Sequence, residues 1–174
     1  MGNMGAHFLP RLGEGCLIDL YSYLLHVEPE GFLVVQDVGI VGFAIGVSDV
    51  RKVDGVLPGL LFKMFLGRYD LELSPVELVL NGCRWLKYLL FSKRYARAEL
   101  LDMVVDESFQ GRGIGTMLAS MYFEFLKKKG VSLTQVLVEE RWAGAHRFYE
   151  SLGFKYADSL NSPSGKMSIM IKNL

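Results

Sequence analysis

Gln110-Gly111-Arg112-Gly113-Ile114-Gly115 carries the densest chemistry in this chain. The apolar run Glu99–Val105 precedes it and ends at Asp106, while Leu118, Met121, Tyr122 and Phe125 follow it at helical spacing. A strand, a glycine-rich turn and a helix N-terminus together make an anion cradle. Glycine lets the backbone approach closely, successive N–H groups aim at one spot, and the helix dipole adds partial positive charge. Two familiar phosphate motifs do not fit. A P-loop needs a lysine after its last glycine, and a dinucleotide fingerprint needs Gly or Ala where Thr116 stands. What the chain offers instead is Gln110-x-x-Gly113-x-Gly115. A strand-to-helix turn that binds nothing shares this outline.

A second constellation lies downstream, in Ala145-His146-Arg147-Phe148-Tyr149-Glu150-Ser151-Leu152-Gly153-Phe154. With both signatures in this order, one helix and one strand apart, the chain resembles the GNAT superfamily of acyl-CoA-dependent N-acyltransferases. The resemblance covers about residues 8–172 in layout and is sharpest over 98–154. It implies a single domain over 1–174 with a mixed antiparallel and parallel α/β sheet flanked by helices. It also implies acetyl-CoA as cosubstrate, with no metal. The turn Gln110, Gly111, Arg112, Gly113, Ile114, Gly115 and Thr116 would hold the coenzyme pyrophosphate, and the backbone of Met103, Val104 and Val105 would meet the pantetheine arm. The tyrosine of the second signature, Tyr149, would lie near the coenzyme sulfur. The chain departs from the family at two points. Trp142 stands where an asparagine often contacts pantetheine, and an indole N–H can donate but not accept. The usual first strand is missing, or reduced to a stub over 6–9.

Acyl transfer from a thioester to an amine has its own demands. The carbonyl must be polarised, the amine must lose a proton, the departing thiolate should gain one, and water should be kept out. Glu99 and Asp102 are the two carboxylates on the strand before the turn. Strict alternation sends Glu99, Leu101, Met103 and Val105 to one face and Leu100, Asp102 and Val104 to the other, so one carboxylate should face the substrate cleft. Ala98-Glu99-Leu100 falls where the histone-acetylating branch of the family carries its base, which favours Glu99. A solvated acid at a strand end, or an acid paired with a basic neighbour, would look the same in sequence. Tyr149, a phenol of pKa about 10, suits the thiolate. An ordinary core tyrosine is its bland alternative.

The elements that must position these groups can be read from pattern. Residues 14–26 are spaced as a helix, 28–31 form a turn, and 32–36 and 40–47 read as a hairpin. Residues 116–129 form a helix ended by Gly130, 132–139 a strand, 144–152 a short helix stopped by Gly153, and 154–158 and 166–171 short strands. A strand–helix–strand unit of this length implies a parallel pair with a right-handed crossover. Between the hairpin and Glu99, residues 51–97 read as a helical, apolar insertion. Ser74-Pro75-Val76-Glu77 starts one of its helices, and Leu86 and Leu90 lie on its apolar side. Such an insertion suits a cover over the sheet, an apolar acceptor channel, a homodimer face or a lipid-facing surface.

Composition narrows the partners. The formal charge is zero, from 19 basic and 19 acidic residues, which argues against a nucleic-acid surface. No apolar run reaches the roughly 18 residues of a membrane helix, so membrane contact is not expected. Cys16 and Cys83 make no disulfide framework and suit a cytoplasmic setting. The expectation is an N-acetyltransferase acting on a primary amine of a small molecule, an amino sugar or a peptide. A non-catalytic coenzyme-binding or interaction module on the same fold is the other reading.

Overall fold

The structure, a computed structural model, describes residues 14–56, 95–162 and 165–174, with 59, 60, 63, 67 and 68. Helix α1 (Glu14–Val27) opens it and a short turn of 3-10 helix (Pro29–Gly31) leads into the hairpin of β1 (Phe32–Gln36) and β2 (Ile40–Val47). One helical turn, α2 (Arg51–Asp54), follows. The second half runs β3 (Ala98–Val105), α3 (Ile114–Lys128), β4 (Leu133–Glu139), α4 (Ala143–Ser151), β5 (Lys155–Ser162) and β6 (Gly165–Asn173). The six strands form one sheet in the order β1-β2-β3-β4-β6-β5. Only β3 and β4 pair in parallel; every other neighbour is antiparallel. The mixed sheet flanked by helices is the fold the sequence led us to expect. The suggested stub over 6–9 and the helix beginning at Ser74 lie outside the described residues.

Two apolar layers sandwich the sheet. On one face Cys16, Leu20 and Leu24 of α1 pack on Ile45 and Val47, joined by Val50, Val53, Val56 and Leu60. On the other, Leu118, Tyr122, Phe125 and Leu126 of α3 pack on Ala44, Leu100, Val136 and Val138. Tyr122 is fully buried and lies so close to β2 that a Cβ at Gly46 would sit 2.2 Å from its ring. Its hydroxyl is satisfied by Thr134 Oγ1 at 2.8 Å, and Thr134 in turn donates to the Ala98 carbonyl at 3.2 Å. Burying an aromatic of this size stabilises the fold by about 2–3 kcal/mol, and the bonded hydroxyl keeps that gain from being lost to desolvation.

The geometry that matters for function is where β3 and β4 part. They pair only at Ala98–Thr134, Glu99–Gln135 and Leu100–Val136. Beyond Leu100, β3 stays with β2 while β4 stays with β6. The sheet therefore forks, and among the described residues the β4-facing edge of Leu101–Val105 has no strand partner. A bulge lies at the same point: Gly46 opposes Leu100, but the next residue of β2, Ile45, opposes Asp102. One extra residue, Leu101, is taken up by β3, and every side chain after it changes face.

Candidate active site

The bulge corrects the alternation read from sequence. Glu99 pairs with Val47 and Asp102 with Ile45, and Val47 and Ile45 share the α1 face. Both carboxylates therefore look the same way, towards α1, instead of being split between faces. Met103 and Val105 turn to the α3 side, where they pack against the core around Leu118. Their side chains do no more than pack; what they offer the fork is backbone.

The two acids sit in different surroundings. Glu99 is 2% exposed and accepts a hydrogen bond from Gln135 Nε2 at 2.8 Å, while Gln135 Oε1 accepts from the Ala96 N–H at 3.1 Å. This network clamps β3 to β4 at the root of the fork. Asp102, half-buried, lies within the opened part. Its Oδ2 accepts a hydrogen bond from the Tyr21 hydroxyl of α1 at 2.8 Å.

Tyr149 approaches from α4. Its ring stands edge-on to Phe148 and Phe154, with centroids 5.2 and 5.5 Å away. Burial, and then the charge of Asp102, push the Tyr149 phenol well above its ordinary value. Tyr149 and Asp102 thus feel each other across the fork, although 47 positions of sequence separate them (149 less 102). A phenol so shifted stays protonated at neutral pH, with its hydroxyl available as a donor.

The glycine turn closes the site. Asp106 accepts from the Ser108 N–H at 2.9 Å, and Gln110 Nε2 donates to the Val105 carbonyl at 2.9 Å, tying the turn to the end of β3. The Ser108 bonds hold the Asp106 carboxyl below its usual range. Gly111 and Gly113 have φ of 75° and 82°, the left-handed region that other residues adopt only with strain. Gly113 is the N-cap of α3, so the helix starts at Ile114, two residues before the Thr116 start read from sequence. The left-handed cap lets Gly113 O accept from Met117 N at 2.9 Å, which draws Ile114 and Gly115 into the first turn. The first N–H groups of a helix have no intrahelical partner. Those of Ile114, Gly115 and Thr116, beside the turn, are thus available to an outside acceptor. A Cβ at Gly111 or Gly113 would meet no heavy atom within 4 Å, so the protein leaves the approach open. Arg112 reaches back over the Phe109 ring, 5.1 Å from its centroid.

Trp142 immediately precedes α4, half-buried, and its backbone N–H donates to the Glu139 carbonyl at 3.0 Å. Arg141 and His146 are drawn towards Glu139 rather than the turn: Arg141 Nε lies 2.6 Å from Glu139 Oε2, and His146 Nε2 lies 3.2 Å from the Glu139 carbonyl. Cys16 is buried beneath α1, its thiol pushed up to about 11 by burial, with Asp19 raising it further against Lys63. A thiol so shifted is no nucleophile at neutral pH. Among the described residues no group of three His, Cys, Asp or Glu side chains is arranged to hold a metal. No described helix is long and apolar enough to cross a membrane.

The sequence reading missed Tyr21 and Gln135. Tyr21 stands at helical spacing with four apolar residues of α1. Its hydroxyl, the one polar group among Leu17, Ile18, Leu24 and Leu25, was the available signal.

A cradle of backbone donors, an unpaired strand edge, a carboxylate and a protonated phenol thus meet at one fork in one sheet. The comparisons agree with that geometry. The model of the acetyltransferase (GNAT) family matches residues 6–154, and the chain belongs to this family. Two curated relatives are N-acetyltransferases by name. An uncharacterised one from Methanocaldococcus jannaschii is 38% identical over 82 residues, which is 47% of this chain and 35% of that protein. The ribosomal protein bS18 alanine N-acetyltransferase of Salmonella typhimurium is 40% identical over 60 residues, 34% of this chain and 40% of that protein. The chain thus aligns with well under half of either relative. Among solved structures, SsHAT superimposes with a TM-score of 0.69 at 21% identity, over 99% of this chain and 82% of that one, a likeness of fold.

Proposed function

We propose that this chain transfers an acetyl group from acetyl-CoA to a primary amine, by direct attack of the amine within a ternary complex. The observation that carries the reading is the coincidence of the fork, the bulge and the glycine cradle at the end of β3. Backbone N–H groups from Gln110 to Thr116, at a helix N-terminus, suit a pyrophosphate. The edge of Met103, Val104 and Val105, unpaired by any described strand on the β4 side, suits an arm that carries amide groups of its own, and Trp142 offers it an indole donor in place of the family's asparagine.

In this proposal each residue has one task. Asp102 takes a proton from the incoming ammonium, so that the nitrogen attacks neutral. The nitrogen bonds to the carbonyl carbon, the C–S bond breaks, and its electron pair leaves on sulfur. The Tyr149 hydroxyl gives its proton to that sulfur and regains the one the nitrogen releases. The coenzyme supplies the activated acyl group. Glu99, which the resemblance marks for the base, shares the face with Asp102 and is the second candidate for the amine proton. It lies deeper, bonded to Gln135. In this reading residues 51–97, most of them outside the described residues, take part in binding the acceptor. The first acceptor to try is a peptide with a free N-terminal alanine, because one relative is named for that residue of a ribosomal protein.

The test is free-thiol release from acetyl-CoA against a panel of peptide N-termini, amino sugars and small amines. We expect amine-dependent release. Tyr149→Phe should lower kcat 100-fold or so with acetyl-CoA KM little changed, the usual scale for losing one positioned proton donor. Asp102→Asn should cost more than Glu99→Gln. The reverse order returns the base to Glu99, and coenzyme binding without release for any amine defeats the catalytic reading.

A further inference from the structure

Asp102 accepts its hydrogen bond from a residue that no family signature marks. Tyr21 lies on α1, 81 residues earlier, and its hydroxyl meets Asp102 Oδ2 at 2.8 Å. The ring is held edge-on against Phe32, with centroids 6.3 Å apart at 79°. It also packs among the partly buried residues beneath α1. Its two torsions are therefore set by packing, and the hydroxyl arrives at the carboxylate already aimed. Among the described residues the other carboxylate oxygen, Oδ1, accepts no hydrogen bond and is left for an incoming group.

From this contact we infer that Tyr21 is a positioning residue for acyl transfer: it fixes the Asp102 carboxylate at the fork, where Oδ1 is left to receive the amine proton. This rests on the proposed function. The Tyr21 phenol is pushed above its ordinary value, by burial first, then by the Asp102 charge and the bond itself, so it remains a donor throughout the neutral range. Among the described residues two titratable groups act with Asp102 from other elements, Tyr21 of α1 through its hydrogen bond and Tyr149 of α4 through the charge that raises its phenol, and Glu99 shares its face of β3. The cross-strand neighbours from β2 on that face, Ile45 and Phe43, are apolar. Only Tyr21 donates to the carboxylate among the described residues, so its removal should be felt there.

Tyr21→Phe removes the donor and keeps the ring against Phe32. Two readouts separate positioning from a plain structural tether. The first is kinetic: kcat/KM for the amine should fall about tenfold, the scale of one hydrogen bond to a charged group, while the acetyl-CoA KM stays put. The second is the 13C signal of the Asp102 side-chain carboxyl in aspartate-labelled protein without substrate, which at one fixed pH should move in Tyr21→Phe as the donor leaves. Tyr21→Leu, lacking ring and donor, should move the signal likewise while losing more stability. Turnover with an unmoved signal, or with kcat/KM for the amine unchanged, overturns the inference alone. A moved signal without turnover in the wild type overturns the proposed function and leaves Tyr21 as the group that fixes Asp102. An unmoved signal without turnover overturns both.

Discussion

Replacing Gly113 by valine tests the cradle most directly. Gly113 has φ 82° and ψ 0°, where a side chain costs about 1–2 kcal/mol, and more if β-branched. No heavy atom lies within 4 Å of an added Cβ, so that cost is backbone strain, not collision. In a protein of this size it lowers the melting temperature by a few degrees. The added side chain enters the space the N–H groups of the turn face. Acetyl-CoA at one hundred times its dissociation constant stabilises the wild type by about 2.7 kcal/mol, a rise of roughly 5–10 °C. If valine weakens binding one hundredfold, the same concentration gives about 0.4 kcal/mol, about a degree. The control is Gly130→Val. Gly130 has φ 71°, and an added Cβ there also meets nothing within 4 Å, but it lies past the far end of α3, roughly 22 Å along the helix. It carries the same strain and should keep the full coenzyme shift. The assay is thermal unfolding of all three proteins with and without acetyl-CoA. A full shift in Gly113→Val, or an equal loss in Gly130→Val, refutes the assignment of the turn.

Two more predictions follow from packing and titration. At Gly115 a Cβ would lie 3.2 and 3.4 Å from the Phe148 ring, so Gly115→Val should push α4 away, destabilise by about 1–3 kcal/mol and lower kcat by displacing neighbouring Tyr149. Denaturant unfolding and kinetics should show Gly115→Val/Phe148→Leu recovering part of both. The phenols of Tyr21, Tyr122 and Tyr149 are all raised, chiefly by burial, so the folded state keeps protons that the unfolded chain releases above pH 10. Stability should be fully present below pH 10 and fall above it by about 1.4 kcal/mol per unit for each tyrosine still protonated. A flat denaturation midpoint from pH 9 to 11 would contradict this.

How much was legible depended on whether the information was local. The hairpin was read at its observed bounds, 32–36 and 40–47, because alternation and a short turn are encoded by neighbours. The glycine turn was legible for the same reason: left-handed backbone at 111 and 113 needs glycine itself. The last hairpin was read short, as 154–158 and 166–171, against Lys155–Ser162 and Gly165–Asn173. Its first strand is polar, with Asp158, Ser159 and Asn161. Pairing along β6, not propensity, carries it to its full length. The bulge at Leu101 has no local signal. It depends on how β3 registers against β2, and one residue of slip reverses every face after it. The Tyr21 contact is still less local, since it joins residues that only the finished sheet brings together.

That slip is also what makes the proposed chemistry possible. Without the extra residue, Asp102 would turn to the other face and meet the apolar side of α3, where Leu118 and Tyr122 are fully buried. A carboxylate there would have no partner, and the fold would resist it by several kcal/mol. With the bulge, the acid faces α1 and finds Tyr21, while Met103 and Val105 fill the α3 side. The bulge falls immediately after the last pairing of β3 with β4 at Leu100–Val136. The strand edge therefore comes free at the residue where the acid changes face. Two irregularities that would each weaken a sheet are placed together, with the Glu99–Gln135 and Tyr122–Thr134 bonds bracing the paired strands just before them. The site is built where the bulge in β3 and the parting of β3 from β4 coincide.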